Sequence, residues 1–154
     1  MLSKEAKAEI NKIRGKYPYP KSAIMPALAI AQREKGWLSP ETMAEVAELL
    51  DMPPAEVEGI ATFYTMYRLK PMGKYLIQIC TNVSCSLLGA EHLAHYLEKK
   101  LGIPEGGVTR DGKFSWMQVE CLGSCGTAPV MQINDDYYEN LTEAKIDQIL
   151  KELP

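Results

Sequence analysis

Apolar residues in the first seventy positions recur at spacings of three and four, which predicts helices throughout. Ala6, Ile10 and Ile13 put one apolar face on a helix over Lys4–Arg14. Ser22 is a good N-cap for a second helix, running through Ile24, Leu28 and Ala31 to Gly36. Pro26 falls within or just past its first turn, where a missing N–H costs little. Ser39-Pro40, an N-cap followed by a first-turn proline, opens a third helix with Met43, Val46, Ala47 and Leu50 on one side. Pro53-Pro54 breaks that helix and starts a fourth, AEVEGIATFYTMYRL, which the pattern carries to Leu69.

The pattern then changes. Leu69-Lys70-Pro71-Met72-Gly73 predicts a linker between a helical domain, 1–70, and a second domain, 71–154. Tyr75–Ile79 is a β-branched run suited to a buried strand. Leu87–Leu101 reads as a helix with Ala90, Leu93, Ala94, Leu97 and Leu101 on its buried stripe, ending at Gly102. Phe114–Val119 and Val130–Ile133 read as strands, Asn134-Asp135-Asp136 as a turn, and Tyr137-Tyr138 as a short return strand. A last helix, capped by Thr142, buries Ile146, Ile149 and Leu150. The expected class is α+β: an N-terminal helical bundle followed by a thioredoxin-like α/β domain, a small sheet covered by helices.

Composition adds limits. With 154 residues the chain suits one ordinary domain or two small ones, and 46% apolar with 24% charged residues is that of a soluble globular protein. No apolar run approaches the roughly 18 residues of a membrane span. The N-terminus is amphipathic, carries acidic residues and lacks the apolar stretch of a secretory signal, so a cytoplasmic protein is expected. There, paired cysteines read first as metal ligands or redox centres. Residues 1–70 carry ten Lys/Arg against nine Asp/Glu, and the remainder seven against eleven. Neither half has the basic stripe that phosphate backbones need, so nucleic acid is excluded as a partner. The helix-turn-helix cadence around Pro53-Pro54 is a packing motif, since Glu56 and Glu58 stand where a recognition helix would meet phosphates.

The four cysteines carry the chemistry. They form two tight pairs, Cys80-x4-Cys85 and Cys121-x3-Cys125, each just after a predicted strand and in glycine-containing sequence. In open α/β sheets ligands gather beyond the carboxyl ends of the strands. Thiolates grouped two and two suit an iron–sulfur rhombus. The first pair leads toward the predicted helix start, whose free N–H groups favour negative charge. Gly89, Gly123 and Gly126 leave room for backbone amides near the sulfurs. Zinc remains open at these spacings, although the usual C-x2-C knuckle is absent. A thiol–disulfide enzyme would carry a single C-x2-C. Four cysteines packed merely as small hydrophobes fit poorly with these loops.

CTNVSCSLLG and VECLGSCGTAPVMQIND resemble the E subunit of NADH:quinone oxidoreductase (respiratory complex I), a module also found in diaphorase parts of some hydrogenases and formate dehydrogenases. LSPETMAEVAELLDMPPAEVEGIATFYTMY is similar to that family's N-terminal domain, so the resemblance covers nearly the whole chain. It implies a thioredoxin-like ferredoxin domain behind a helical one, with Cys80, Cys85, Cys121 and Cys125 holding a 2Fe–2S cluster. It implies an electron-transfer subunit of an NADH dehydrogenase, cytoplasmic and peripheral to the inner membrane through the larger complex, with no direct membrane insertion. The implied partner is the flavoprotein F subunit, which binds FMN and NADH. This chain itself shows no dinucleotide fingerprint, P-loop, nucleophile elbow or HExxH motif. An independent ferredoxin-like carrier and a zinc-bound structural adaptor are the other two functional readings. The acidic setting, Glu120 above all, is expected to lower the cluster potential.

His92 and His95 are read as solvated side chains on a helix. Phe63, Tyr64, Met66, Tyr67 and Leu69 are read mostly as core, with some facing a partner. Trp37 and Trp116 are read as core first. Ala128-Pro129 occupies the place where thioredoxin-like folds often carry a cis bond.

Overall fold

Ser3 starts the first helix, its hydroxyl accepting the Ala6 N–H at 3.1 Å. In the computed structural model, which describes Met1–Pro154, α1 spans Lys4–Arg14, α2 Ile24–Lys35, α3 Pro40–Leu50 and α4 Pro54–Phe63. Ser39 caps α3 as expected, accepting from Thr42 N–H at 3.1 Å. Gly36 ends α2 in the left-handed region at φ 79°, a conformation glycine adopts without a Cβ penalty. The chain divides into two compact units, Met1–Pro71 and Met72–Pro154. The first buries Ile10, Leu28, Leu38, Val46, Leu50 and Val57 completely. Each such side chain contributes about 1.5–3 kcal/mol by leaving water.

The second unit holds β1 (Tyr75–Cys80), α5 (Val83–Leu87), α6 (Ala90–Leu101), β2 (Phe114–Val119), β3 (Met131–Ile133), β4 (Asp136–Tyr138) and α7 (Glu143–Glu152). The sheet order is β2-β1-β3-β4. β1 lies parallel to β2, in register from Tyr75 opposite Phe114 to Cys80 opposite Val119. Parallel neighbours require a crossover, which α5 and α6 supply. β3 runs antiparallel to β1, and β4 antiparallel to β3. Ile77, Ile79, Leu93, Leu97, Met131 and Ile146 form the centre of one apolar cluster. Tyr96 donates to Asp147 at 2.7 Å and Lys100 pairs with it at 2.9 Å, tying α6 to α7. Trp116 is core, its ring N–H donating to the Ile103 carbonyl at 3.0 Å; Trp37 is only half-buried. No helix is long and apolar enough to cross a membrane. The mixed class with an N-terminal helical unit agrees with the sequence pattern.

Four details differ from the pattern. Ser22 lies inside a 3-10 turn, Pro20–Ala23, and α2 follows without a side-chain cap; proline at the turn's start favours the tighter geometry. α4 stops at Phe63, because Tyr64 turns extended at φ −91°, ψ 116°. With the helix ended, Phe63 and Met66 stand 77% and 59% exposed rather than packed, and only Tyr67 of that stretch is buried. The helix expected over 87–101 starts only at Ala90, after Gly89 at φ 90°, and a separate short helix, α5, precedes it over Val83–Leu87. β3 starts at Met131, one residue after the predicted Val130.

Candidate metal centre

The parallel pairing of β1 and β2 ends both strands at one edge of the sheet, and the two cysteine segments leave from there. Cys80 is the last residue of β1, paired with Val119 at the end of β2, and Thr81 N–H still donates to the Val119 carbonyl at 3.1 Å. Cys85 is not in a loop: it lies on the buried side of α5, which Asn82 starts by accepting the Val83 N–H at 3.0 Å. Five residues are too few for a periodicity to reveal, so sequence places Cys85 only by its spacing. Cys121 follows β2 in an irregular segment, and Cys125 opens a 3-10 turn through Thr127.

All four cysteines are unbridged thiols. Cys80 and Cys85, each 2% exposed, pack with Ala90, Ala128 and Val130 in a small apolar cluster. Cys121 and Cys125 face solvent. The pairs share one neighbourhood: Cys85 and Cys121 both act on the Cys80 sulfur, whose thiol donates to the Glu120 carbonyl at 3.8 Å, and Cys85 lies within the field of Cys125. Burial opposes ionisation of Cys80. It is outweighed by the N–H groups of Asn82 and Leu122 and by the two neighbouring thiols, so its pKa falls below the usual 9.0. Burial and the Cys80 sulfur push Cys85 up to about 11, against the Val130 N–H. Gly123, left-handed at φ 75°, donates its N–H to the Cys121 sulfur at 3.3 Å. Backbone donors therefore point at sulfurs on both segments, the arrangement that stabilises thiolates and tunes a bound cluster. Ala128-Pro129, beside this cluster, is a cis bond.

No group of three or more histidine, cysteine, aspartate or glutamate side chains is arranged as a metal-ion site. Four thiols spread two and two fit a binuclear cluster, in which each iron takes two of them. His92 pairs with Glu143 at 2.8 Å and His95 with the Glu91 carbonyl at 2.8 Å, so neither histidine joins the thiols. Sequence reading missed Tyr137 and Glu139, which reach the Cys121–Cys125 segment from the far side of the β3–β4 hairpin. Only the hairpin signal of Asn134-Asp135-Asp136 hinted that this stretch folds back.

The family model for thioredoxin-like [2Fe-2S] ferredoxin matches residues 10–154. NADH-quinone oxidoreductase subunit 2 of Thermus thermophilus is 50% identical over 131 residues, which cover 84% of this chain and 72% of the relative. An E-type NADH-quinone oxidoreductase subunit of Rhizobium meliloti is 48% identical over 143 residues, covering 93% of this chain and 85% of the relative. Among solved structures, an NAD+-reducing [NiFe]-hydrogenase in the air-oxidized state is similar over 82% of this chain, with a TM-score of 0.71 and 25% identity. The chain spans 23% of that hydrogenase chain.

Proposed function

Because this chain belongs to the thioredoxin-like [2Fe-2S] ferredoxin family, we propose that Cys80, Cys85, Cys121 and Cys125 hold one 2Fe–2S cluster, and that the protein is the E-type electron-transfer subunit of an NADH:quinone oxidoreductase. The observation that carries this reading is the gathering of four thiols from two chain segments at one sheet edge. When bound, the cluster supplies a one-electron relay for a flavin, which splits the electron pair of a hydride into single steps. The flavin is the FMN of a partner flavoprotein subunit that also binds NADH, and this chain contributes no bond-making step. Its residues do three things. The thiolates hold the metal. The N–H groups of Asn82, Leu122, Gly123 and Val130 stabilise negative sulfur. Ala90, Ala128 and Val130 keep water from the Cys80–Cys85 side, while the exposed Cys121–Cys125 side leaves the partner a close approach.

Similarity to the NAD+-reducing hydrogenase supports a second parent assembly, in which the same electron-transfer role serves a hydrogenase. Affinity purification from native cells separates the two: quinone-reductase subunits or hydrogenase subunits will accompany the flavoprotein. In the quinone-reductase assembly the protein sits peripheral to the membrane, through its partners. The decisive test is anaerobic purification with iron and sulfide quantified, and visible absorption and low-temperature EPR recorded before and after dithionite. Equal iron and sulfide, with an EPR signal only on reduction, are expected. A colourless, zinc-loaded protein after anaerobic reconstitution overturns the proposal.

A further inference from the structure

The two halves of the thiol site are held by different means. Packing fixes Cys80 and Cys85, which sit in the apolar cluster, on a strand and a helix. Cys121 and Cys125 are exposed, in a segment with left-handed Gly123 and with Gly126, of which Leu122 alone packs against that cluster. Hydrogen bonds from one neighbouring segment, Tyr137 to Leu141, hold the rest. Tyr137 Oη donates to the Leu122 carbonyl at 2.9 Å. The Glu139 carboxylate oxygen Oε1 accepts from the Ser124 hydroxyl, and from the Thr127 hydroxyl at 2.7 Å. Asn140 N–H donates to the Thr127 carbonyl at 2.7 Å, and Leu141 N–H to that of Pro129 at 3.0 Å. The clamp has a firm base, because β4 is paired to β3 and Lys145 Nζ donates to the Glu139 carbonyl at 2.6 Å.

We propose that Glu139 is a positioning residue for the Cys121–Cys125 half of the cluster site: its carboxylate holds the segment on both sides of Cys125, and its charge bears on the bound cluster. The proposal rests on those two cysteines being cluster ligands. Ser124 directly precedes Cys125 and Thr127 follows two residues later, so one carboxylate oxygen spans the ligand. Two hydroxyl protons directed at the same ionised oxygen make charge-assisted bonds, the stronger kind. The same two hydroxyls hold the Glu139 carboxyl below its usual pKa, aided by Lys145, which keeps it ionised near neutral pH. A fixed negative charge beside a cluster disfavours adding an electron to it.

The test uses the full-length chain, loaded with iron and sulfide, as wild type, Glu139→Gln, Glu139→Ala and Tyr137→Phe. Three quantities are measured: the half-life of iron release to a chelator, backbone hydrogen exchange over residues 121–127, and the midpoint potential. Glu139→Ala should release iron about tenfold faster, as loss of charge-assisted bonds implies, with faster exchange confined to that segment. Tyr137→Phe, which loses only the Leu122 bond, should move both in the same direction by less. Glu139→Gln keeps an acceptor of the same size and removes the charge, so its potential should rise. Unchanged iron release and exchange in Glu139→Ala overturn the positioning role, and an unchanged potential in Glu139→Gln overturns the electrostatic one. If Glu139→Ala does not fold, Tyr137→Phe and Glu139→Gln decide by the same readouts. A wild-type chain that takes up no iron sinks the cluster reading instead, and exchange of the metal-free Glu139→Ala chain still tests the clamp.

Discussion

Cys121 and Cys80 have the same side chain in opposite surroundings, one open to water and one sealed by Ala90, Ala128 and Val130. Replacing Cys121 by Ala is therefore a mild change to packing and a direct test of ligation. The cluster should be lost, or rebuilt with an altered EPR spectrum; a normal cluster with unchanged spectra removes Cys121 from the ligand set. Glu120, the exposed carboxylate just before it, acts only through charge. Glu120→Gln should raise the midpoint potential modestly, and the shift should shrink in high salt, because exposed charges are screened within roughly 10 Å at 0.1 M. No shift, or a fall, would count against electrostatic tuning from this position. The four cysteines are legible in the sequence because their type and spacing speak for themselves. Glu139 is not, since what matters is its reach to Ser124 and Thr127, a contact that the hairpin creates and no local pattern announces.

Elements are legible where their periodicity is long. α1, α3 and α7 each show two or more turns of apolar spacing behind a Ser or Thr cap, and all three have that cap hydrogen bond. α5 is too short for any period, and the end of α4 depends on Tyr64 leaving the helical region, which local propensity does not dictate. The approach to β1 carries a sharper constraint. A Cβ on Gly73 would stand 2.6 Å from the Phe114 carbonyl carbon, and the Gly73 N–H donates to the buried Ser115 hydroxyl at 2.8 Å. Gly73→Ala must push β1 and β2 apart at their first pair, so it should cost about 2 kcal/mol, the scale of overpacking. Denaturant unfolding measures this, and a variant as stable as the parent would refute the close approach. At the start of α1, Glu34 accepts from the Ser3 N–H and hydroxyl. That hydroxyl, with Lys35, lowers the Glu34 pKa from its usual 4.5 to about 2. The native state favours the ionised form, so this contribution is complete above pH 4.5 and disappears as pH falls toward about 2. Glu34→Gln should flatten the acid limb of a stability-against-pH curve in that window. A limb equally steep in the variant removes Glu34 from the cause.

Each of the two units has its own apolar core. The cluster from Leu2 to Tyr67 draws only on Met1–Pro71, and those containing Ile77 and Cys80 draw only on Met72–Pro154. A linker is legible at Leu69–Gly73 from its Pro and Gly content, and we propose that the units also fold separately. Small domains bury a lower fraction of their surface and are marginal by themselves. Metal binding that occurs only in the folded state adds its free energy to folding. The two fragments should therefore differ in kind. Residues 1–71 should fold colourless and indifferent to iron. Residues 72–154 should take up iron and sulfide and give the reduced EPR spectrum of the full chain. Their metal-free form should unfold at lower denaturant than the loaded one, since the exposed Cys121–Cys125 segment then has only the Tyr137–Leu141 clamp and the packing of Leu122 to hold it. Matching spectra from the fragment and the full chain would place every ligand in the second unit. A 72–154 fragment that cannot hold iron where the full chain does would mean that the helical unit is needed for the site to form.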